Sequence, residues 1–559
     1  MNRAIRILLP AALLLPAPAS AQQADLIITN ARVYTADDAH PRAQAVAVRG
    51  DRIIFAGSAQ EANVLRGAAT KVIDAAGRTV IPGMIDAHGH VAGLGSALRN
   101  VDLVGTTSYQ EVIDRVQARA RQAAPGAWIQ GRGWDQNDWA DTRFPTHDAL
   151  SRAVPDHPVV LERIDGHAVL ANALAMQQAG ITKATPDPTG GRILRAANGE
   201  PTGVFVDNAT NLIDRKVPAP TAAEQREAIR LAMRELNRYG LTGVHDAGVG
   251  CDGLRLYEQM ARAREITART YVMVSAGVTC LDSLLAMGAR DNVDGSRMIA
   301  VRAVKAYADG ALGSRGARLL EPYSDEPTQS GLLVTPMNQL VAIAVKALRS
   351  GFQLNVHAIG DGANREVLDV FEAALRQVPR ADHRFRIEHA QVISPSDIPR
   401  FAQLGVIPSM QAVHQTSDMY WAENRLGSTR ILGAYAWRSL LNTGVVIPNG
   451  SDFPVESANP LFSFHSAVTR QDANNWPAGG WVPQQRMTRQ EALNSMTIWP
   501  AYASFQESQT GSLTAGKLAD IVVLSQDIMT VPAEDILKTT VELTIVGGKI
   551  VYDATTPKT

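Results

Sequence analysis

The sequence predicts an α/β fold: a (β/α)8 TIM-like barrel, with a small β-sandwich built from both chain ends and an inserted subdomain after the first barrel strand. Three observations predict it. Strand-like and helical runs alternate from about residue 240, which indicates a parallel sheet. Both chain ends are rich in strands, yet neither is long enough to bury a core alone. The span from about 95 to 220 is too long for one strand-to-helix connection.

Length and composition fit this architecture. The chain has 559 residues, of which 45% are hydrophobic and 19% charged, with a net charge of -1. That length exceeds one compact domain and predicts a large core with satellites. A near-neutral charge argues against nucleic acid or an anionic membrane surface as the main partner, because both select basic patches. We therefore expect a small-molecule substrate, while the oligomeric state is left open.

Residues 1–21 are predicted to be a signal peptide. Arg3 and Arg6 precede an apolar run over 7–15, and Ala19-Ser-Ala21 has the form of a cleavage site. The apolar run is shorter than the roughly 20 residues of a membrane-spanning helix. We expect a periplasmic or secreted protein, with no membrane attachment after cleavage and a mature chain from about Gln22.

The two cysteines, Cys251 and Cys280, do not have the spacing of a zinc motif. A disulfide is compatible with an oxidising compartment, where such bonds persist. The sequence alone leaves their pairing open.

The composite β-sandwich is predicted from residues 22–83 and 508–559. Its strand-like runs are separated by turn residues such as Gly50-Asp51 and Gly77, as in an antiparallel sheet. They cover 25–34, 45–48, 52–56 and 71–74 near the start, and 517–524 and 543–552 near the end.

The barrel is predicted over residues 84–507. Its first strand follows the Pro82-Gly83 turn, and the other seven are expected at 242–246, 270–275, 300–306, 353–357, 384–389, 406–411 and 445–449. Helices are expected at 222–239, 338–350 and 364–377. The first of these has a capping box at Thr221 and Glu224 and ends before Gly240.

The inserted subdomain is predicted at about 95–220. It contains strand-like runs at 128–131 and 159–163 and a helical run around 168–178. We expect it to lie over the mouth of the barrel.

Polar side chains occur where barrel strands end, and these ends carry the functional residues of such barrels. Strand periodicity places Asp86, His88 and His90 on one face. Singly, each residue has an ordinary explanation, such as a hydrogen-bonded core histidine, a buried ion pair or a turn cap. Their coincidence favours a metal site whose ligands are His88, His90, Lys305, His357, His389 and Asp452.

Several motifs extend this pattern. They are Pro82–His90, Val304–Ser314, Asn355–Asp361, Ile387–His389, Gly450–Pro454 and Gly511–Val523. With them the chain resembles the amidohydrolase superfamily and, within it, the YtcJ-like group, over nearly all of the mature chain.

The resemblance implies a ligand set. His88, His90 and Asp452 bind one metal, and His357 and His389 bind a second. Lys305 is carboxylated (N6-carboxylysine), and its carbamate bridges the two metals, because a plain ammonium has no lone pair for a metal. Two Zn²⁺ ions are expected, with Mn²⁺, Fe²⁺ or Co²⁺ as alternatives.

The predicted function is that of an exported metal-dependent amidohydrolase. It hydrolyses a C–N bond, other than a peptide bond, in an amide, a formamide or an N-acyl amine, and Asp452 is the catalytic proton shuttle. Alternatives are a dipeptidase-like or cyclic-amide hydrolase, a lyase that forms a Schiff base on Lys305, and a binding protein without turnover. Deaminases of the superfamily carry a Glu shortly after the strand-five histidine. Here Asp361 stands instead, at a different spacing.

Further side chains are candidates for substrate contacts, although a packing role is equally open for each. His245, at the end of strand two, is a weaker candidate of the same kind. Asp86 is expected to support the ligands rather than bind metal. The substrate candidates are Trp134, His167, Tyr307, Asp309, Arg315 and His414.

Overall fold

Eight parallel strands form one sheet that curves into a barrel. The computed structural model describes residues 23–293 and 295–556. The barrel strands follow one another in the sheet in chain order, and the chain after strand eight meets strand one, where the Asp452 amide donates to the His88 carbonyl (2.7 Å). This confirms the predicted barrel. Its strands are Met84–Gly89, Leu241–Val249, Arg269–Ser275, Ile299–Tyr307, Gln353–Ala358, Arg386–His389, Ile407–Gln411 and Asn449–Gly450.

Two predicted elements differ from the structure. The eighth strand is only Asn449–Gly450, and the residues before it include Pro448, which has no amide hydrogen for a ladder. The helix expected around 168–178 begins instead as the strand Ala168–Ala171, which pairs with Val159–Arg163. Asn172 then caps a shorter helix, Ala173–Ala179, by accepting from the Ala175 amide.

Helices cover the outside of the barrel. Ala222–Arg238 has the predicted capping box between Thr221 and Glu224, and its apolar stripe is buried. The others in the barrel part of the chain are Val91–Ala97, Cys251–Arg262, Leu281–Met287, Met337–Ser350, Asp361–Gln377, Ile398–Leu404, His414–Asp418, Ala422–Arg430, Trp437–Leu441, Pro460–Thr469, Arg489–Ser495 and Ile498–Ala503.

The two chain ends share one small β-structure of two packed sheets. Ile521–Leu524, near the C-terminus, pairs antiparallel with Thr79–Pro82, near the N-terminus. A buried Arg269–Asp520 ion pair (2.7 Å) ties this unit to the barrel. One sheet contains Ala24–Thr29, Ala45–Arg49, Arg52–Gly57 and Arg66–Asp74. The other contains Arg32–Tyr34, Arg42–Ala43, Thr79–Pro82, Ile521–Leu524, Val541–Val546 and Lys549–Asp553.

The chain between barrel strands one and two forms a subdomain around a six-stranded mixed sheet. One face of the sheet buries Leu103, Trp134 and Leu161, and the other buries Met176 and Phe205, so the subdomain has its own apolar cores. Its strands are Val101–Asp102, Ile129–Trp134, Val159–Arg163, Ala168–Ala171, Gly191–Arg195 and Pro201–Asp207. Its helices are Tyr109–Ala120, His147–Ala153, Ala173–Ala179 and Asn211–Asp214.

The structure answers whether the two cysteines pair, but it does not test the predicted signal peptide. Cys251 and Cys280 form a disulfide between the helices that follow strands two and three. Among the described residues, no helix has both the length and the apolarity needed to cross a bilayer. Residues 1–21 lie outside the described part of the chain.

Candidate active site

The six side chains predicted as metal ligands come together at the carboxyl ends of the barrel strands. His90 Nε2 lies 3.0 Å and His88 Nε2 3.5 Å from Asp452 Oδ1. The ring of His389 lies 4.9 Å from that of His88 and 4.5 Å from that of His357. His88, His389 and Asp452 each offer one ligand atom within 4.8 Å of the others. The barrel thus gathers residues from four strands and two loops.

Lys305, on strand four, completes the group. Its Nζ lies 3.1 Å from His88 Nε2, and its side chain is buried. Burial lowers the pKa of Lys305 to about 8 because a charged ammonium is poorly solvated there. A neutral amine, the form that reacts with carbon dioxide, is therefore accessible near neutral pH.

Hydrogen bonds on the far side of each imidazole fix its orientation. His88 Nδ1 lies 2.5 Å from Glu388 Oε2, His389 Nδ1 lies 2.8 Å from Gln411 Oε1, and His90 Nδ1 lies 2.9 Å from the Ala247 carbonyl. In each of these rings Nε2 is left facing the cavity. Such partners set the tautomer of a ligating histidine.

His357 is held the other way round. Its Nε2 faces the Gly310 carbonyl oxygen at 3.4 Å, so Nδ1 is the atom left to act as a ligand. Burial lowers the pKa of His357 well below its ordinary value. The ring is therefore neutral, as a metal ligand must be.

Glu388 is a functional residue that the sequence analysis did not single out. It is fully buried between His88 and Arg386, whose Nε lies 2.7 Å from its carboxylate. Burial opposes ionisation, but Arg386 and His88 hold the pKa of Glu388 below its usual range. The result is a buried carboxylate that orients His88. Its position in the Ile387-Glu-His389 motif was the available signal.

Asp86 lies beside the ligands, as expected. Its carboxylate accepts from the amides of His88 (3.0 Å) and Ser451 (3.1 Å) and from the Ser451 hydroxyl (2.7 Å). Burial raises the pKa of Asp86 to about 7. Asp86 thereby connects strand one to the loop that carries Asp452.

The donor set fits a divalent metal. Within the described part of the chain, Asp452 Oδ1 is buried and has no hydrogen-bond partner, although two imidazole nitrogens lie nearby. An uncompensated buried carboxylate oxygen is costly, and a cation between it and neutral imidazoles removes that cost. Imidazole and carboxylate donors suit zinc and its first-row neighbours.

Two further histidines reach the same space, each paired with a carboxylate. His167 Nδ1 lies 2.7 Å from Asp207, and its ring lies 5.1 Å from that of His357. Burial lowers the pKa of His167, but Asp207 outweighs it and raises the value to about 9. Asp207 was not foreseen, because it lies 40 residues further along the chain.

His414 is the second of these histidines. Its Nδ1 lies 3.0 Å from Glu456 and its Nε2 3.6 Å from Asp452 Oδ2. Burial lowers the pKa of His414, but Asp452 and Glu456 together raise it to about 10. The imidazolium therefore stabilises the carboxylate form of Asp452.

Tyr307 and Asp309 also lie next to the ligands. The Tyr307 ring centroid is 4.8 Å from Lys305 Nζ. Asp309 is buried and accepts from the amides of Ile359 (2.9 Å), Gly360 (2.8 Å) and Arg318 (2.8 Å). Its hydrogen bonds hold together the loops after strands four and five.

Three of the candidates for substrate contact lie away from the gathered ligands, and their predicted roles are corrected here. Trp134 is fully buried in the core of the inserted subdomain, where Nε1 donates to the Leu161 carbonyl (2.9 Å). Arg315 pairs with Asp325 (3.0 Å) and Glu326 (3.4 Å), carboxylates that follow it closely in the chain. His245 is buried against Arg386 (2.9 Å). These side chains have packing or ion-pairing roles.

Asp361 does not replace the deaminase glutamate. It is buried at the start of the helix Asp361–Gln377 and accepts from the Leu320 amide (2.9 Å). The carboxylate is occupied in joining two loops, and it does not line the cavities described next.

Two cavities open from the gathered side chains. The larger has a volume of about 860 Å³ and the smaller about 590 Å³. Both are lined by His167, His357, His389 and Asp452, so they meet at the candidate ligands. Either is large enough for part of a small organic molecule.

Comparisons with known proteins identify a matching family and similar relatives. The model of the amidohydrolase family matches residues 71–552. A putative amidohydrolase, YtcJ, from Bacillus subtilis is 32% identical over 93% of this chain and 98% of its own. An N-substituted formamide deformylase from Arthrobacter pascens is 31% identical over 96% of this chain and 99% of its own.

Solved structures show the same fold. A metal-dependent hydrolase from Pyrococcus furiosus is 28% identical and superposes with a TM-score of 0.70, covering 90% of this chain and 100% of its own. The similarity therefore extends over barrel, sandwich and insert together.

Proposed function

This chain belongs to the amidohydrolase family, and from that premise we propose that it is a metal-dependent hydrolase that cleaves the C–N bond of a linear amide, a formamide or an N-acyl amine. The observation that carries the proposal is the convergence of four histidines, Lys305 and Asp452 at one end of the barrel. The relative named N-substituted formamide deformylase supports an amide of this kind as the substrate.

The proposed ligand roles are those that the family resemblance implies. His88, His90 and Asp452 would hold one divalent metal, His357 and His389 a second, and carboxylated Lys305 would lie between them. Two Zn²⁺ ions, or Mn²⁺, Fe²⁺ or Co²⁺ in their place, would supply an acidified water molecule and a Lewis acid for the substrate carbonyl.

Asp452 moves the proton. Its Oδ1 accepts a proton from the attacking water and delivers it to the leaving nitrogen, which otherwise departs as an unstable amide anion. His414 lies 3.6 Å from Oδ2, and Glu456 holds His414 in place at 3.0 Å. This arrangement orients the carboxylate while its other oxygen serves the reaction.

His167 is proposed as a substrate contact from the inserted subdomain. Asp207 fixes Nδ1 at 2.7 Å, which leaves Nε2 to face the space beside His357. Tyr307, whose ring lies near Lys305, is proposed as a second contact.

We also propose that the protein is exported. The proposal rests on the signal-like residues 1–21, and the Cys251–Cys280 disulfide supports it, because such bonds persist in oxidising compartments. N-terminal sequencing of the protein from the periplasm or medium tests it. A mature start near Gln22 is expected, and full-length protein found only in the cytoplasm would contradict export.

An Asp452→Asn variant tests the proposed chemistry, with turnover of N-alkylformamides as the readout. Asparagine keeps the shape but cannot carry the proton, so kcat is expected to fall about 10²–10⁴-fold. Asp114→Asn, an exposed position on a helix of the insert, is the matched control and is expected to leave kcat unchanged. Full turnover by Asp452→Asn would refute the assigned role.

A further inference from the structure

The two cavities reach different parts of the ligand group. All six candidate ligands line the smaller cavity, whereas the larger is lined by only His357, His389 and Asp452 of them. A carbonyl group under attack must lie where the ligands converge, at the base of the smaller cavity. Asp452, which must reach the scissile nitrogen, lies at the junction of the two.

A wall made by both the insert and the barrel separates the cavities. Arg132, on the insert strand Ile129–Trp134, donates to the carbonyl oxygens of Pro454, in the barrel, and Ile164, in the insert (2.6 Å to Ile164). Its Nε also lies 3.4 Å from Glu162. Arg132 lines both cavities and is only 8% exposed. A buried guanidinium held by several partners makes this wall a fixed feature.

The cavities differ in chemical character. Beyond the shared residues, the smaller one presents polar groups such as Tyr307, Asp207 and Asn208. The larger one presents the apolar and aromatic side chains of Leu312, Trp421 and Phe462, together with carboxylates such as Asp138 and Glu456. The larger cavity offers more apolar surface to a substrate than the smaller one.

Aromatic surface continues at the rim of the larger cavity. Tyr420, which lines it, stacks on Trp476 with ring centroids 5.1 Å apart and an interplanar angle of 7°. Both rings remain about half exposed, at 53% and 51%. Two exposed aromatic faces at a cavity mouth extend the surface available to an apolar group.

We propose that the cavities are two subsites for one secondary amide: the smaller takes the acyl group, and the larger takes an apolar N-substituent that reaches toward Tyr420. This inference rests on the proposed function and names its substrate class. With the carbonyl at the ligands and the nitrogen at Asp452, the group on nitrogen continues into the larger cavity. The planar amide then positions the acyl chain on the other side of the wall.

Two substrate series and two variants test this assignment. One series lengthens the N-substituent, from N-butylformamide to N-octylformamide. The other lengthens the acyl group, from N-butylformamide to N-butylhexanamide. Ala473 lines only the larger cavity and Asn211 only the smaller, and both are exposed, so Ala473→Trp and Asn211→Trp are expected to fold normally.

Each variant should affect one series. Ala473→Trp is expected to raise KM for N-octylformamide about tenfold and to leave KM for N-butylhexanamide within twofold of wild type. Asn211→Trp is expected to do the reverse. A swapped pattern, or variants that act alike on both series, would overturn the subsite assignment while wild-type turnover leaves the proposed function standing. A wild-type enzyme that hydrolyses neither series would overturn the proposed function and this inference with it.

Discussion

The barrel side and the insert side of the active-site cavity are built from different kinds of structure. On the barrel side, the candidate ligands sit at the ends of parallel strands, and other strands of the same barrel supply their hydrogen bonds, as between His88 and Glu388 (2.5 Å) or His389 and Gln411 (2.8 Å). On the insert side, His167 sits in a turn between two strands of a separate sheet. The barrel side is therefore fixed by the fold itself.

The insert side depends on contacts between two units. Asp207 holds His167, and its carboxylate packs so tightly against Gly310 that a Cβ there would lie 2.6 Å from Asp207 Oδ1. Arg132 bonds the insert to the Pro454 carbonyl of the barrel. We therefore expect the barrel to determine which chemistry is done and the insert to determine which substrate is admitted. The predictions below test that division, from the largest expected effect to the smallest.

Lys305→Ala should have the largest effect. The variant loses the group expected to lie between the two metals, so metal affinity and kcat are expected to fall at least about a hundredfold. Short carboxylic acids should restore part of both, because an added carboxylate can occupy the space of the missing carbamate. Metal content by mass spectrometry and turnover of N-alkylformamides are the measurements. Full metal loading without added acid would argue against the bridging role.

The sequence predicted the barrel side well for a physical reason. Each ligand ends an apolar run, and seven of the eight strands lie within about two residues of their predicted starts, whereas Pro448 shortens the eighth. The resemblance to the amidohydrolase superfamily and its YtcJ-like group is confirmed by the relatives. The ends of the strands converge in any such barrel, independently of the loops. The local sequence pattern was therefore enough to predict which side chains come together.

The remaining features depend on contacts that local pattern does not contain. Glu388 meets His88 across 300 residues of chain. Trp134 was a candidate for substrate contact, but the sheet of the insert buries it. The carboxylates that occupy Arg315 lie on a loop whose path the sequence does not specify. These positions are set by how insert and loops fold back on the barrel.

Glu388→Gln is expected to have the next largest effect. Glutamine keeps the volume but removes the charge that orients His88, so metal affinity should fall about 10–100-fold. Glu227→Gln, on the solvent-facing side of the helix Ala222–Arg238, is the matched control. Titration of the metal-free protein with zinc measures the change, and thermal unfolding shows whether the buried Arg386 has been destabilised. Unchanged zinc affinity would mean that Glu388 serves packing alone.

His167→Asn probes the insert side. We expect kcat/KM to fall about tenfold while zinc content and the melting temperature stay at wild-type values, because the side chain contacts substrate rather than metal. Asp207→Asn should change kcat/KM in the same direction. If His167→Asn loses metal as well, the two sides are not separate in function.

Gly310→Ala should give the smallest effect, a few-fold loss of kcat/KM with metal retained. Its Cβ would displace the Asp207 carboxylate and through it His167. Gly277→Ala is the matched control, since a Cβ there meets nothing within 4 Å. Equal activity in both variants would show that the tight contact between insert and barrel does not position His167.

X-ray diffraction with anomalous scattering at the zinc edge tests the central claim most directly. Crystals of active enzyme are expected to show one metal peak between His88, His90 and Asp452 and a second between His357 and His389. Extra density on Lys305 Nζ would accompany them as the carbamate. Enzyme that hydrolyses N-alkylformamides in the crystal with no anomalous peak among these residues, at the edges of zinc, manganese, iron or cobalt, would contradict the account.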